Sequence, residues 1–232
     1  MSRSSKVPFF VMVGLLAAGS LFAQELKQID LPAPQTRGGR PVMEALALRA
    51  TSRAFATTPL PLQIMANLLW AAQGMNGPKG ADATSGATPI APSAVNWQEI
   101  DVYVVMKAGA YLYDPKTNVL KPVVSGDLRA LTGIQPFVKD APATLVYVAD
   151  SRRTGYPPGF PQNLMEGAER DKEHMEWADA ALISENVAIF CASAGLATGL
   201  REAIDRPPLA EALKLDSAQT VIMAQCVGYP KK

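Results

Sequence analysis

Arg49, Thr51 and Arg53 stand together in one short stretch, Arg49-Ala50-Thr51-Ser52-Arg53. Two guanidiniums and a hydroxyl at this spacing can converge on a dianionic phosphate, because each guanidinium offers a rigid fork of donors. A solvated helix end carrying two surface arginines would show the same residues. Other chemistries leave weaker traces. His174 is the single histidine and lies in an acidic run from Glu166, as a surface residue would. Most serine or cysteine hydrolases need a histidine base, so that class loses ground. Cys191 and Cys226 sit among apolar residues, as buried thiols do, and no metal-ligand spacing is present. The 22 basic and 21 acidic residues nearly balance, and without a basic stripe or interleaved aromatics nucleic acid is not an expected partner.

The elements that must position the arginine cluster are readable on either side of it. Residues 43–48 have helical composition. Pro61, which needs no backbone donor, opens a second helix whose Leu62, Met65, Leu68, Leu69 and Ala72 recur at three- and four-residue steps, predicting one core face, and Gly74 ends it. Residues 75–91, rich in Gly, Ala, Thr and Pro, read as loop. Alternation predicts a strand over 100–106, and residues 110–123 read as a hairpin turning at Asp114-Pro115-Lys116-Thr117-Asn118. Residues 128–131 fit one or two helical turns. Residues 142–149 are almost continuously apolar, as a central strand is. Three prolines in 154–161 exclude helix and interior strand, leaving a lid or a surface loop. Residues 177–194, dense in alanine and apolar nearly all round, predict a helix at the centre of the domain or of a dimer. A short helix to Leu215 and a last strand over 220–227 follow.

At the N-terminus, Arg3 and Lys6 precede an apolar run from Val7 to Ala18, with Gly19, Ser20 and Ala23 near a cleavage point. This predicts a secretory signal over 1–23 and an exported, periplasmic protein. The run falls short of the roughly 20 residues of a spanning helix, so no stable membrane anchor is expected after cleavage. Residues 24–42 then form an N-terminal extension, and 43–232 a single domain.

Three segments, taken in order, resemble the nitroreductase family of flavin-dependent oxidoreductases. The first is the arginine cluster followed by Phe55, a Pro-Leu turn and a helix ending Leu-Leu-Trp-Ala-Ala-Gln-Gly. The second is Pro92-Ser93-Ala94-Val95-Asn96-Trp97-Gln98 before a strand, in which Ser93, Asn96 and Gln98 match position for position. The third is an alanine-rich helix ending in Gly-Leu, followed by Leu200, Arg201, Glu202 and Ala203 before an aspartate. Family members often carry Pro and Gly where Leu200 and Ala203 stand.

The resemblance implies an α+β fold, with a mainly antiparallel sheet flanked by helices, a central alanine-rich helix and an obligate homodimer. It implies one FMN per site at the dimer interface. Arg49, Ala50, Thr51 and Arg53 would hold its phosphate, Pro92, Ser93, Asn96 and Gln98 the ring edge, and the backbone of Leu200–Ala203 the N5 side. Amide side chains suit that edge because they both donate and accept. Longer members add basic residues beyond this chain's end, where only Lys231 or Lys232 could serve. The implied activity is ping-pong electron transfer from a small-molecule donor, such as reduced nicotinamide, to a nitroaromatic or quinone acceptor. That the flavin carries the redox chemistry accounts for the lack of a visible triad. Reduced nicotinamide is a cytoplasmic currency, so an exported chain would use another donor. The alternatives are a flavin dehydrogenase of a peptide or small metabolite, and a flavin-binding protein without turnover.

Overall fold

The computed structural model describes residues 25–76, 88–161 and 168–231. The signal expected over 1–23, most of the 75–91 loop and Lys232 lie outside them. A seven-stranded sheet, antiparallel at every ladder, has the order β1-β6-β5-β4-β7-β9-β8. Its strands are β1 (Ile29–Asp30), β4 (Ile100–Met106), β5 (Gly109–Asp114), β6 (Val119–Ser125), β7 (Ala143–Asp150), β8 (Ala197–Arg201) and β9 (Gln219–Gly228). Short strands β2 (Met75–Asn76) and β3 (Thr88–Pro89) pair separately, so the segment read as loop begins and ends in a small ladder. The helices are α1 (Val42–Leu48), α2 (Leu62–Gln73), α3 (Ala168–Ala194) and α4 (Arg206–Ala212). Among the described residues no helix is long and apolar enough to cross a membrane.

The sheet is covered on both faces, and the period-two alternation of its strands decides which residue faces which layer. Val102, Val104, Leu145 and Tyr147 pack with α2 and α3, while Tyr103, Val105, Val146 and Val148 pack with α4 and the segment around Leu128 and Leu131. Burial on both faces is why β7, between β4 and β9, is apolar almost throughout, as expected of a central strand. The 110–123 hairpin forms at the expected turn, and residues Arg129–Thr132 make a 3-10 turn.

Two expectations are corrected here. Met65, Leu68, Leu69 and Ala72 of α2 are buried, but Leu62, the first residue of the helix, is 49% exposed. Residues 197–201, for which no strand was expected, form the edge strand β8. In α3, Asp179, Ala180, Ile183, Val187 and Cys191 are buried, whereas Ala181, Leu182 and Glu185 form an exposed stripe on the single chain. Cys191 and Cys226 are buried free thiols, as expected.

Leu68→Ala should lower unfolding free energy by about 2–5 kcal/mol, the cost of a large cavity in a packed core. Leu62→Ala should change it by less than about 0.5 kcal/mol. Denaturant unfolding of the two variants checks the assignment of the faces.

Candidate functional site

The arginine segment leaves α1 as extended chain and runs beside the outer edge of β8. Arg49 caps α1, its N–H donating to Ala45 O at 2.9 Å. Ser52 N–H then donates to Thr198 O at 2.7 Å, and Thr51 bridges Thr198 in parallel register. The approach is so close that a Cβ on Gly199 would lie 2.5 Å from Ser52 O, which is why glycine stands there. Beyond it, Phe55 is buried against Phe137, with ring centroids 6.1 Å apart, and Ala56 N–H donates to Tyr229 O. These contacts bring the first and third sequence segments together. Thr51, Ser52 and Arg53 share a cavity of about 290 Å³ with Gln135, Phe137, Gly199 and Leu200–Ala203.

Arg49, Thr51 and Arg53 are exposed, Thr51 and Arg53 on the cavity wall and Arg49 just outside its lining, and neither guanidinium forms an ion pair with another described residue. Arg201 behaves differently. It is 7% exposed and lies over the Phe137 ring, donating to Gly199 O and Thr132 O at 3.2 and 3.1 Å. Its guanidinium thus braces the cavity wall from behind. Its Nε and the Gln135 Oε1 are buried without a hydrogen-bond partner among the described residues. A Cβ on Gly133 would stand 2.8 Å from that Nε and 3.2 Å from that Oε1, so both atoms are packed against Gly133, behind the cavity wall. Gln135 was not among the expected site residues; a lone glutamine before a proline carries no signal of its own. Glu202 is exposed and pairs with Arg206 at 3.1 Å.

The second segment is folded into a tight turn elsewhere. Pro92, Ser93 and Gln98 line a different cavity, with Gln73, Glu99 and Asp179, while Asn96 and Gln98 also face an adjoining one with Arg153 and Lys121. Within one chain, these residues do not join the cavity of the arginine segment. Gln98 Nε2 donates to Asn96 Oδ1 at 2.9 Å, leaving Asn96 Nδ2 to donate and Gln98 Oε1 to accept. The segment 154–161 packs on this turn: Trp97 Nε1 donates to Gly155 O at 2.5 Å, and Tyr156 meets Trp97 edge-on and Phe160 at tilted ring planes. Lys231 is exposed at the chain end.

Nucleophilic chemistry finds no support among the cysteines, since burial pushes the Cys191 thiol up to about 12. His174 is exposed on α3. No group of His, Cys, Asp or Glu among the described residues could hold a metal ion.

Residues 46–229 match the sequence profile of the nitroreductase family. The chain belongs to that family. It is therefore a flavin oxidoreductase, and nitroreductase-family enzymes use small-molecule donors and acceptors. A nitroreductase-family protein of Ralstonia eutropha JMP134 is 36% identical, with a TM-score of 0.74 over 97% of this chain and 100% of its own. A nitroreductase-family protein of Desulfovibrio desulfuricans, solved in complex with FMN, has the same fold at 16% identity and TM-score 0.57, over 84% of this chain and 89% of its own. No curated protein matches the chain.

Gly199→Ala should push Ser52 off the edge of β8 and cost about 1–3 kcal/mol, as backbone strain does. Hydrogen exchange should show faster opening of the Ser52 and Ala56 amides than in wild type, with the β4 and β7 amides unchanged.

Proposed function

We propose that this chain binds FMN and transfers electrons from a small-molecule donor to a nitroaromatic, quinone or similar acceptor in ping-pong order. The observation that carries the reading is the shared cavity of the arginine segment and Leu200–Ala203, closed by the Ser52–Thr198 hydrogen bond. Arg53 on its wall and Arg49 four residues before it, neither in an ion pair among the described residues, would hold the phosphate together with Thr51 and the Ala50 backbone. In an antiparallel ladder, backbone groups of successive residues point to opposite sides, so those of every second residue share an edge. Since Thr198 O faces Ser52, the backbone of Leu200 and, one step past the strand, of Glu202 turns to the same outer edge. The Glu202 N–H is the donor we assign to flavin N5, with the Leu200, Arg201 and Ala203 main chain beside it. When bound, FMN supplies the hydride chemistry, and the protein orients it and admits substrates in turn.

Pro92, Ser93, Asn96 and Gln98 are proposed to reach the ring from a second copy of the chain. Support comes from their separate cavity and from exposed apolar residues: Val42, Met43, Leu46 and Leu48 of α1 are 64%, 76%, 44% and 51% exposed, and Leu182 of α3 is 44%. A homodimer covers such surface and completes the site. Residues 1–23 are proposed as a cleaved export signal, so that FMN is acquired in the periplasm and the donor there is other than cytoplasmic nicotinamide.

Each charge-assisted hydrogen bond contributes about 1.5–3 kcal/mol, so Arg49→Ala should weaken FMN binding roughly ten- to hundredfold. Titration of purified protein with FMN, read by flavin fluorescence, measures it; unchanged affinity in the folded Arg49→Ala, Arg53→Ala double variant would overturn the phosphate assignment. Glu202→Ala should keep the bound flavin and its reducibility, whereas Glu202→Pro, which deletes the N–H, should lose most of both, with Ala203→Pro as the control for disturbance of the turn. A Glu202→Pro protein with the wild-type flavin spectrum and reduction rate would place the donor elsewhere.

A further inference from the structure

The turn from Ser93 to Gln98 holds a conformation that L side chains resist. Val95, Asn96 and Gln98 have φ of 50°, 57° and 54°, and such residues persist only where the surroundings over-determine them. Within the turn, Ser93 Oγ accepts from Gln98 N–H at 3.0 Å, Ser93 O from Asn96 N–H at 3.1 Å and Ala94 O from Trp97 N–H at 3.0 Å. The anchor from α3 is Asp179, 4% exposed, whose carboxylate accepts from Ala94 N–H at 2.7 Å.

Beside Asp179 lies a second carboxyl group, Glu99. It is fully buried, and neither of its oxygens has a hydrogen-bond partner among the described residues. Its main chain is fixed: Glu99 O accepts from Asp150 N–H at 2.9 Å and from the Arg153 guanidinium at 2.8 Å. Glu99 and Asp179 line one cavity, and Glu176, about one turn earlier on α3, adds a second negative charge toward the Glu99 carboxyl. Arg153, from the segment after β7, pairs with Asp101 at 2.8 Å and takes the Glu99 carbonyl rather than its carboxylate. With no metal-binding group among the described residues, a proton is what can reconcile the two carboxyls.

We infer that Glu99 is a positioning residue: as the neutral acid it donates to Asp179, which grips Ala94 N–H and so holds the turn that presents Asn96 and Gln98. Ionising Glu99 sets two buried negative charges side by side, weakens that grip and loosens the turn. The consequence for cofactor affinity rests on the FMN reading above, but the state of the turn does not. Burial is the main cause that pushes the Glu99 carboxyl up to about 7, with Asp179 and Glu176 adding to it against a backbone hydrogen bond. Between its ordinary value of 4.5 and about 7, the folded protein keeps a proton that the unfolded chain has released. Stability therefore falls as pH rises through that window, and the loss is complete above it.

The test uses the full chain at pH 6 and pH 8, reading FMN affinity by fluorescence titration and, without added FMN, the emission of Trp97 inside the turn. Trp97→Phe identifies which part of the emission belongs to it. In wild type, FMN should bind roughly fivefold or more weakly at pH 8, the scale of a modest coupling between two sites, and the Trp97 emission should change over the same interval. Glu99→Gln, uncharged at both values, should flatten both courses. Asp179→Asn, whose amide oxygen still accepts from Ala94, should do the same and decides the matter if Glu99→Gln fails to fold. A wild type flat in both readouts, or a Glu99→Gln protein that follows the wild-type pH course, overturns the inference. If wild type binds FMN at neither pH, the proposed cofactor falls, and the Trp97 course of wild type against Glu99→Gln still decides the role of Glu99.

Discussion

The hydrogen bond from Ser52 N–H to Thr198 O, with the contact it forces between Ser52 O and Gly199, is the constraint on which the candidate site depends. It converts a stretch of chain without regular structure into a companion of the sheet edge. One consequence is local: the edge of β8 is covered rather than left open as an unpaired row of donors and acceptors. The other is functional, because two segments about 150 residues apart in sequence become two walls of one cavity. Phe55 on Phe137 and Ala56 on Tyr229 extend the same attachment, so the rim arginines project from an anchored segment.

Charge is partitioned around this cavity by burial. Arg49 and Arg53 stay hydrated at the rim, where an incoming anion would meet them at little desolvation cost. Arg201 lies inside, on the Phe137 ring and two backbone carbonyls. A buried guanidinium needs its donors matched, and Nε is the one left over. Residues of one type, from two segments about 150 residues apart, thus have unlike work: two can bind and one braces. The turn 93–98 shows the complementary case, where buried carboxyls rather than cations set the geometry, through Asp179 on α3.

Both site walls trace back to the two-sided sheet. Because β9 is paired on each edge, β8 is presented as a short outer strand, and because α3 runs straight from the turn-binding Asp179 to the start of β8, one helix serves both the second and the third segments. The exposed stripe of α3 and the bare face of α1 leave the single chain with apolar surface that its own fold does not cover.

Local physical rules were enough to place much of the fold. Helix periodicity located α2, alanine-rich apolar content located α3, strand alternation located β4, the Asp114–Asn118 turn fixed the hairpin, and the apolar run at 142–149 marked a central strand, since each signal is carried by neighbours in sequence. The three segments were also legible, as were the buried thiols and the exposed histidine. Tertiary structure alone decided which segments meet. The strand at 197–201 carries no alternation of its own and exists because β9 supplies its ladder. Leu62 satisfies the helical period yet is 49% exposed at the first residue of α2, whereas Met65 one turn on is buried. Arg201 is indistinguishable in sequence from a binding arginine, and only the carbonyls of Gly199 and Thr132 draw it inward. Gln135 and Glu99 have no motif to announce them; their standing comes from the absence of a partner in a buried place, which is a property of packing and not of order along the chain.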